Sequence, residues 1–164
     1  MLHRRAVLAG APTAYALCRP SGHHAHADRA GGFFDKPWID GRARPGKQSG
    51  AYAHPVTADR HPYVFLNWMG ERRDVLTLAH ELGHGVHQTL AADQGTLLAD
   101  TPLTLAETAS IFAEGLTFDR LLAEATPAQA AAYLALPLVS GIAAGLGARA
   151  GTDTGTDTGP GRLP

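Results

Sequence analysis

"RDVLTLAHELGHGVHQTL", Arg73 to Leu90, decides how this 164-residue chain is read. Its apolar residues fall at Val75, Leu78, Leu82, Val86 and Leu90, a spacing of three to four that predicts a helix with one apolar stripe. Asp74 is expected to cap that helix, and its charge suits the positive N-terminus. Gly95 is expected to stop it. On such a helix His80 and His84 stand one turn apart, about 40° around the axis from each other, so both imidazoles project the same way. Two nitrogens so placed can grip one Zn2+ at about 2.0–2.1 Å each. Glu81 points to a neighbouring direction, suited to a water beside the ion and not to the ion itself. Gly83 costs close to 1 kcal/mol relative to alanine inside a helix, and its missing side chain would let another helix approach closely.

A third ligand is needed, and the next turns do not supply one. The longer metzincin pattern is excluded, because His87 occupies its glycine position and Leu90 its last histidine position. The candidate is Glu107, in "LAETAS", Leu105 to Ser110. It lies on a second expected helix that starts after "ADTP", with Asp100 or Thr101 as cap and Pro102 in the first turn. An unpaired carboxylate on a partly buried face is costly, and a dication would offset that cost. If the two helices pack antiparallel, Glu107 faces the histidine pair. Glu114, seven residues on, lies about 10 Å further along the axis. It is expected to orient a histidine or pair with a cation. His87 reads as a supporting or structural residue in preference to a ligand.

Outside the two helices the chain changes character. "GAYAHP" and "HPYVFLN" read as two short strands near 50–54 and 62–67, separated by the polar turn "VTADR". Residues 1–31 read as disordered: "RPSGHHAHADRAGG" has loop composition, and His23, His24 and His26 there are at most an adventitious metal tract. The start, "MLHRRAVLAGAPTAYALC", has only the outline of a weak signal peptide, so a cytoplasmic location is expected. The single cysteine, Cys18, excludes an internal disulfide. Residues 126–164 divide into an Ala/Gly-rich helix and a low-complexity tail built on Thr-Asp-Thr-Gly. The uncharged stretch 130–148 is just long enough to cross a bilayer, but Pro137 interrupts it, and a loosely packed helix is the preferred reading. A net charge of -1 and no basic run beyond two residues exclude a typical nucleic-acid binder. The expected fold is α-rich (α+β): two motif helices, a small antiparallel sheet and disordered ends, with the core in 32–125.

Four blocks carry a resemblance. "FFDKPWIDGRARPGKQSGAYAHP" (33–55), "HPYVFLN" (61–67), "RDVLTLAHELGHGVHQ" (73–88) and "DTPLTLAETASIFAEGLTFDRLL" (100–122) resemble consecutive segments of the thimet oligopeptidase/oligoendopeptidase F family of zinc peptidases. The resemblance implies a zinc metalloendopeptidase acting on short peptides. It implies that His80, His84 and Glu107 ligate one Zn2+ and that Glu81 is the general base. It also implies that Gly50, Ala51 and Tyr52 belong to an edge strand to which a peptide can add. Members of that family are several-fold longer and carry a later histidine and tyrosines that stabilise the oxyanion and hold substrate. Here no histidine follows His87, and Tyr133 is the one later tyrosine. The alternative expectations are therefore a truncated remnant that holds zinc without turnover, or a membrane-anchored fragment. No oligomeric state is implied.

Overall fold

The computed structural model describes residues 24–135, with side chains from 28 onward. The chain runs α1 (His24–Asp35), β1 (Ile39–Arg42), β2 (Tyr52–His54), β3 (Tyr63–Trp68), α2 (Arg72–Ala92), α3 (Leu103–Ala123) and α4 (Pro127–Leu134). The α-rich expectation holds, and the two long helices dominate.

The sheet is mixed where the sequence led us to expect a purely antiparallel one. Its strand order is β1-β3-β2. β2 runs antiparallel to β3, with Ala53 opposite Val64, as two neighbouring extended runs should. β1 pairs parallel with the other side of β3, Ile39 opposite Val64. "IDGR" has neither alternation nor β-branched density, so its pairing comes from position beside β3 and not from local propensity. The register slips between Asp40 and Arg42, where Gly41 alone faces Leu66 and Asn67, so the extra residue is a bulge in β3.

Both long helices begin differently from expectation. α2 starts two residues before Asp74, which lies inside the first turn. Its carboxylate accepts from the backbone N–H groups of Met69 (2.7 Å) and Glu71 (3.0 Å), capping the helix from within. α3 is preceded by Pro102, whose carbonyl accepts the N–H of Leu105 and of Ala106, both at 2.9 Å; neither Asp100 nor Thr101 caps it. In α4 Thr126 caps Gln129, and Gln129 reaches back to the Thr126 N–H at 2.9 Å.

α1 corrects the reading of residues 24–31 as disordered. Helix continues through Gly31 and Gly32 because Phe33 is 1% exposed in the main apolar cluster, with Val64, Leu66, Leu78 and Leu82. Burying one such side chain is worth roughly 1.5–3 kcal/mol, enough to offset the ~2 kcal/mol that two helical glycines cost. The amphipathic stripe of α2 thus lies against β3 and α1. Leu76 begins a second cluster with Phe118 and Leu121 of α3.

Among the described residues no helix is long and apolar enough to cross a membrane. The signal-like start, Cys18, the uncharged run beyond residue 135 and the repeat tail lie outside them.

Candidate metal centre

α2 and α3 pack antiparallel: His84 meets Ala106 and Glu107, Gly83 meets Ser110, His80 meets Glu114, and Leu76 meets Phe118. Gly83 makes that approach possible. A Cβ there would stand 2.7 Å from Ser110 Cα and 2.8 Å from the Ala109 carbonyl oxygen, closer than a methyl group can come. Gly85, two residues on, likewise leaves room for the Phe33 ring, 2.8 Å from where its Cβ would be.

The close approach brings three donors together. His80 and His84 project side by side, their ring centroids 4.9 Å apart, as the four-residue spacing requires. Glu107 spans them, with Oε2 3.3 Å from His80 Nε2 and Oε1 3.6 Å from His84 Nε2. One ligand atom from each of the three lies within 4.8 Å of the other two, and among the described residues this is the group that could hold a metal ion. Ligands about 2.0–2.2 Å from a tetrahedral ion stand roughly 3.3–3.6 Å apart, and the two distances from Glu107 to the imidazoles match that spacing. Two imidazoles and a carboxylate are a borderline donor set that suits zinc.

The surrounding groups orient these donors. Glu114, fully buried, sits with Oε2 3.1 Å from His80 Nδ1, leaving Nε2 to face Glu107. The Ala106 carbonyl faces the His84 ring. Ser110 donates to Glu107 Oε2 at 2.9 Å and to the Glu107 carbonyl at 3.1 Å. Ser110 was not singled out in the sequence, although its i+3 position in "AETAS" places it one turn from the acid. His87 stays outside the donor group; its Nδ1 is buried without a hydrogen-bond partner among the described residues.

The electrostatics follow from burial and crowding. Burial pushes the His80 pKa down, but the hydrogen bond to Glu114 and the charges of Glu81, Glu114 and Glu107 outweigh it and raise the value. Burial lowers His84, and the neighbouring His80 lowers it further. Burial drives Glu81 up to about 7; His80 and the Ala53 N–H oppose that rise, while Glu107 adds to it. Glu81 Oε2 is buried with no hydrogen-bond partner among the described residues. A carboxyl group so placed is poised to exchange a proton near neutrality.

β2 lies beside this group at the edge of the sheet. Gly50, at φ +94, turns the chain into it, Ala51 packs against the apolar cluster, and Tyr52 stacks on Phe65 at 4.7 Å between ring centroids. The Ala53 carbonyl accepts from Gln88 of α2 at 3.3 Å, while its N–H faces Glu81.

The family model for peptidase family M3 matches residues 17–144. A chromosomal oligoendopeptidase F of Lactococcus lactis subsp. cremoris is 40% identical over 92 residues, 56% of this chain and 15% of the relative. The group B oligopeptidase PepB of Streptococcus agalactiae is 34% identical over 100 residues, 60% of this chain and 16% of the relative. A solved structure of a candidate peptidase from Chlamydophila abortus aligns with TM-score 0.64 and 34% identity, covering 70% of this chain and 19% of that one. The chain thus spans less than a fifth of the length of these relatives.

Proposed function

The chain belongs to peptidase family M3, and from that premise we propose that it carries the hydrolytic centre of a zinc metalloendopeptidase that cleaves short peptides. The observation that supports this most is the convergence of His80, His84 and Glu107 donor atoms within 4.8 Å, with the buried Glu81 carboxyl beside them.

His80, His84 and Glu107 hold one Zn2+ in this reading. When bound, the ion supplies Lewis acidity, lowering the pKa of a water toward ~7 and polarising the scissile carbonyl. Glu81 is the general base: its buried carboxyl beside the three donors accepts a proton from the attacking water and returns it to the departing amine. Glu114 and Ser110 keep His80 and Glu107 in the orientation that leaves their donor atoms facing each other. A short extended peptide adds along β2, where Tyr52 and its neighbours offer an edge; folded proteins present such segments rarely.

Metal analysis of the purified chain tests the reading. One zinc per chain is expected in the wild type and none in His84→Ala. Zinc-loaded protein is then expected to cleave an unstructured quenched-fluorescent peptide, and Glu81→Gln to abolish cleavage with zinc retained. A wild-type chain that binds no zinc, or a Glu81→Gln variant that cuts as well as wild type, rules out the assignment.

A further inference from the structure

Lys47 lies in the nine-residue connection between β1 and β2, and its side chain is 1% exposed. A buried ammonium must have its three protons satisfied, and here four oxygens do so. Its Nζ donates to the carbonyls of Leu66 (2.6 Å), Asp40 (2.8 Å) and Arg42 (3.1 Å), and to Asp40 Oδ1 (3.2 Å). The Leu66 carbonyl belongs to the bulge of β3, and those of Asp40 and Arg42 flank Gly41 on the facing stretch of β1. The same ammonium lies 4.3 Å from the centre of the Phe65 ring, against which Tyr52 of β2 stacks.

The connection is fastened again just beyond Lys47. Asn67 of β3 donates to the Gln48 carbonyl at 2.7 Å and to that of Gly50 at 3.4 Å. Three residues later Ala53 meets Glu81 and Gln88 of α2. A continuous series of contacts therefore runs from the register slip between β1 and β3 through Lys47 and the connection to β2 and the Glu81 carboxyl.

We propose that Lys47 is a positioning residue: its ammonium, seated in the carbonyl cage where β1 meets the β3 bulge, sets where the β2 edge lies relative to Glu81. Charge and reach both matter. A neutral side chain of equal length takes away the one donor that ties the Leu66, Asp40 and Arg42 carbonyls to the connection and frees the connection to move, carrying Tyr52–His54 with it. That the edge receives a peptide rests on the peptidase reading; that Lys47 fixes the edge does not.

Lys36 and Lys47 are the two lysines of the chain, and Lys36 is exposed, so the native protein carries its own control. Under mild acylation followed by mass spectrometry, Lys47 is expected to react about a hundredfold more slowly than Lys36. In Lys47→Met, amide exchange at residues 48–54 is expected to quicken at least about tenfold, with amides of 76–86 and 106–118 and the zinc content unchanged. With zinc-loaded protein and a short peptide, KM is expected to rise about tenfold while kcat stays within about threefold, the signature of lost substrate placement. Equal reactivity of the two lysines, unaltered exchange at 48–54, or a fall in kcat at constant KM overturns the proposal. Should Lys47→Met fail to fold, the acylation of the wild type decides. If wild-type protein binds zinc but cleaves nothing, the peptidase reading falls, and acylation and exchange still judge Lys47.

Discussion

The two faces of α2 are built on opposite principles. Toward β3 and α1 it presents Leu78 and Leu82 to Phe33, Val64 and Leu66, an apolar contact with no polar side chain in the cluster. Toward the middle of α3 it presents His80 and Gly83 to Glu114 and Ser110, both 0% exposed. Apolar burial on one side supplies stability without fixing any one geometry to a few tenths of an ångström. The polar side gains little net energy from its hydrogen bonds, each worth about 0.5–1.5 kcal/mol, but those bonds are directional and aim the donors. One helix is thus anchored by one face and carries two of the candidate metal donors on the other.

That contrast can be broken most forcefully on the apolar face. Leu82→Ala, at a site 2% exposed, is expected to cost about 2–5 kcal/mol, read as a fall in the denaturation midpoint, while the folded fraction still binds zinc. A loss of zinc affinity in that fraction would mean that the faces are not separable. On the polar face Glu114→Gln keeps the volume and removes the charge beside His80 Nδ1. Zinc affinity is expected to fall about 10–100-fold in chelator competition. Gly83→Ala probes the seam between helices. The alanine gains close to 1 kcal/mol of helix propensity, but its Cβ meets Ser110 Cα at 2.7 Å, and overpacking costs typically 1–3 kcal/mol. The net expectation is a loss of about 1 kcal/mol with weaker zinc binding, because α3 and Glu107 must move away; higher stability with unchanged affinity would refute the close fit.

The smallest effect lies off both faces, at Asp40. The Arg44 guanidinium, bonded to both its oxygens at 2.8 and 2.9 Å, and then the Lys47 ammonium hold its pKa below the usual aspartate value although burial opposes them. A folded value below the unfolded one gives a contribution that is present above the unfolded value and lost as pH falls through the folded one. Thermal unfolding followed against pH is therefore expected to show a modest loss of stability in the acid range below the ordinary aspartate value, and Asp40→Asn to remove that part of the slope. Asp40 is well exposed, so salt should weaken the effect.

What could be read from the sequence was what one helix settles by its own period. The stripe of α2, the common projection of His80 and His84, and the adjacent placement of Glu81 all follow from 3.6 residues per turn. The placing of Glu107 opposite them needed one assumption, antiparallel docking, which the short connection favours. Features that depend on partners distant in sequence were not legible. Helix α1 persists through two glycines because Phe33 finds the gap beside Gly85, and β1 exists because β3 offers it a side. Lys47 looks like any surface lysine until Asp40, Arg42 and the bulged stretch of β3 at Leu66, 19 residues away, surround it. Ser110 was within reach, since a hydroxyl three residues after a helical acid lies next to it.

The donors of the candidate centre are divided, two imidazoles on α2 and one carboxylate on α3, with the Asp93–Pro102 link between those helices. Any cation they share is then a rivet: it cannot be gripped by all three until the helices have closed, and once gripped it opposes their parting. Capture and closure become a single equilibrium, so resistance to unfolding should climb with the logarithm of free metal concentration.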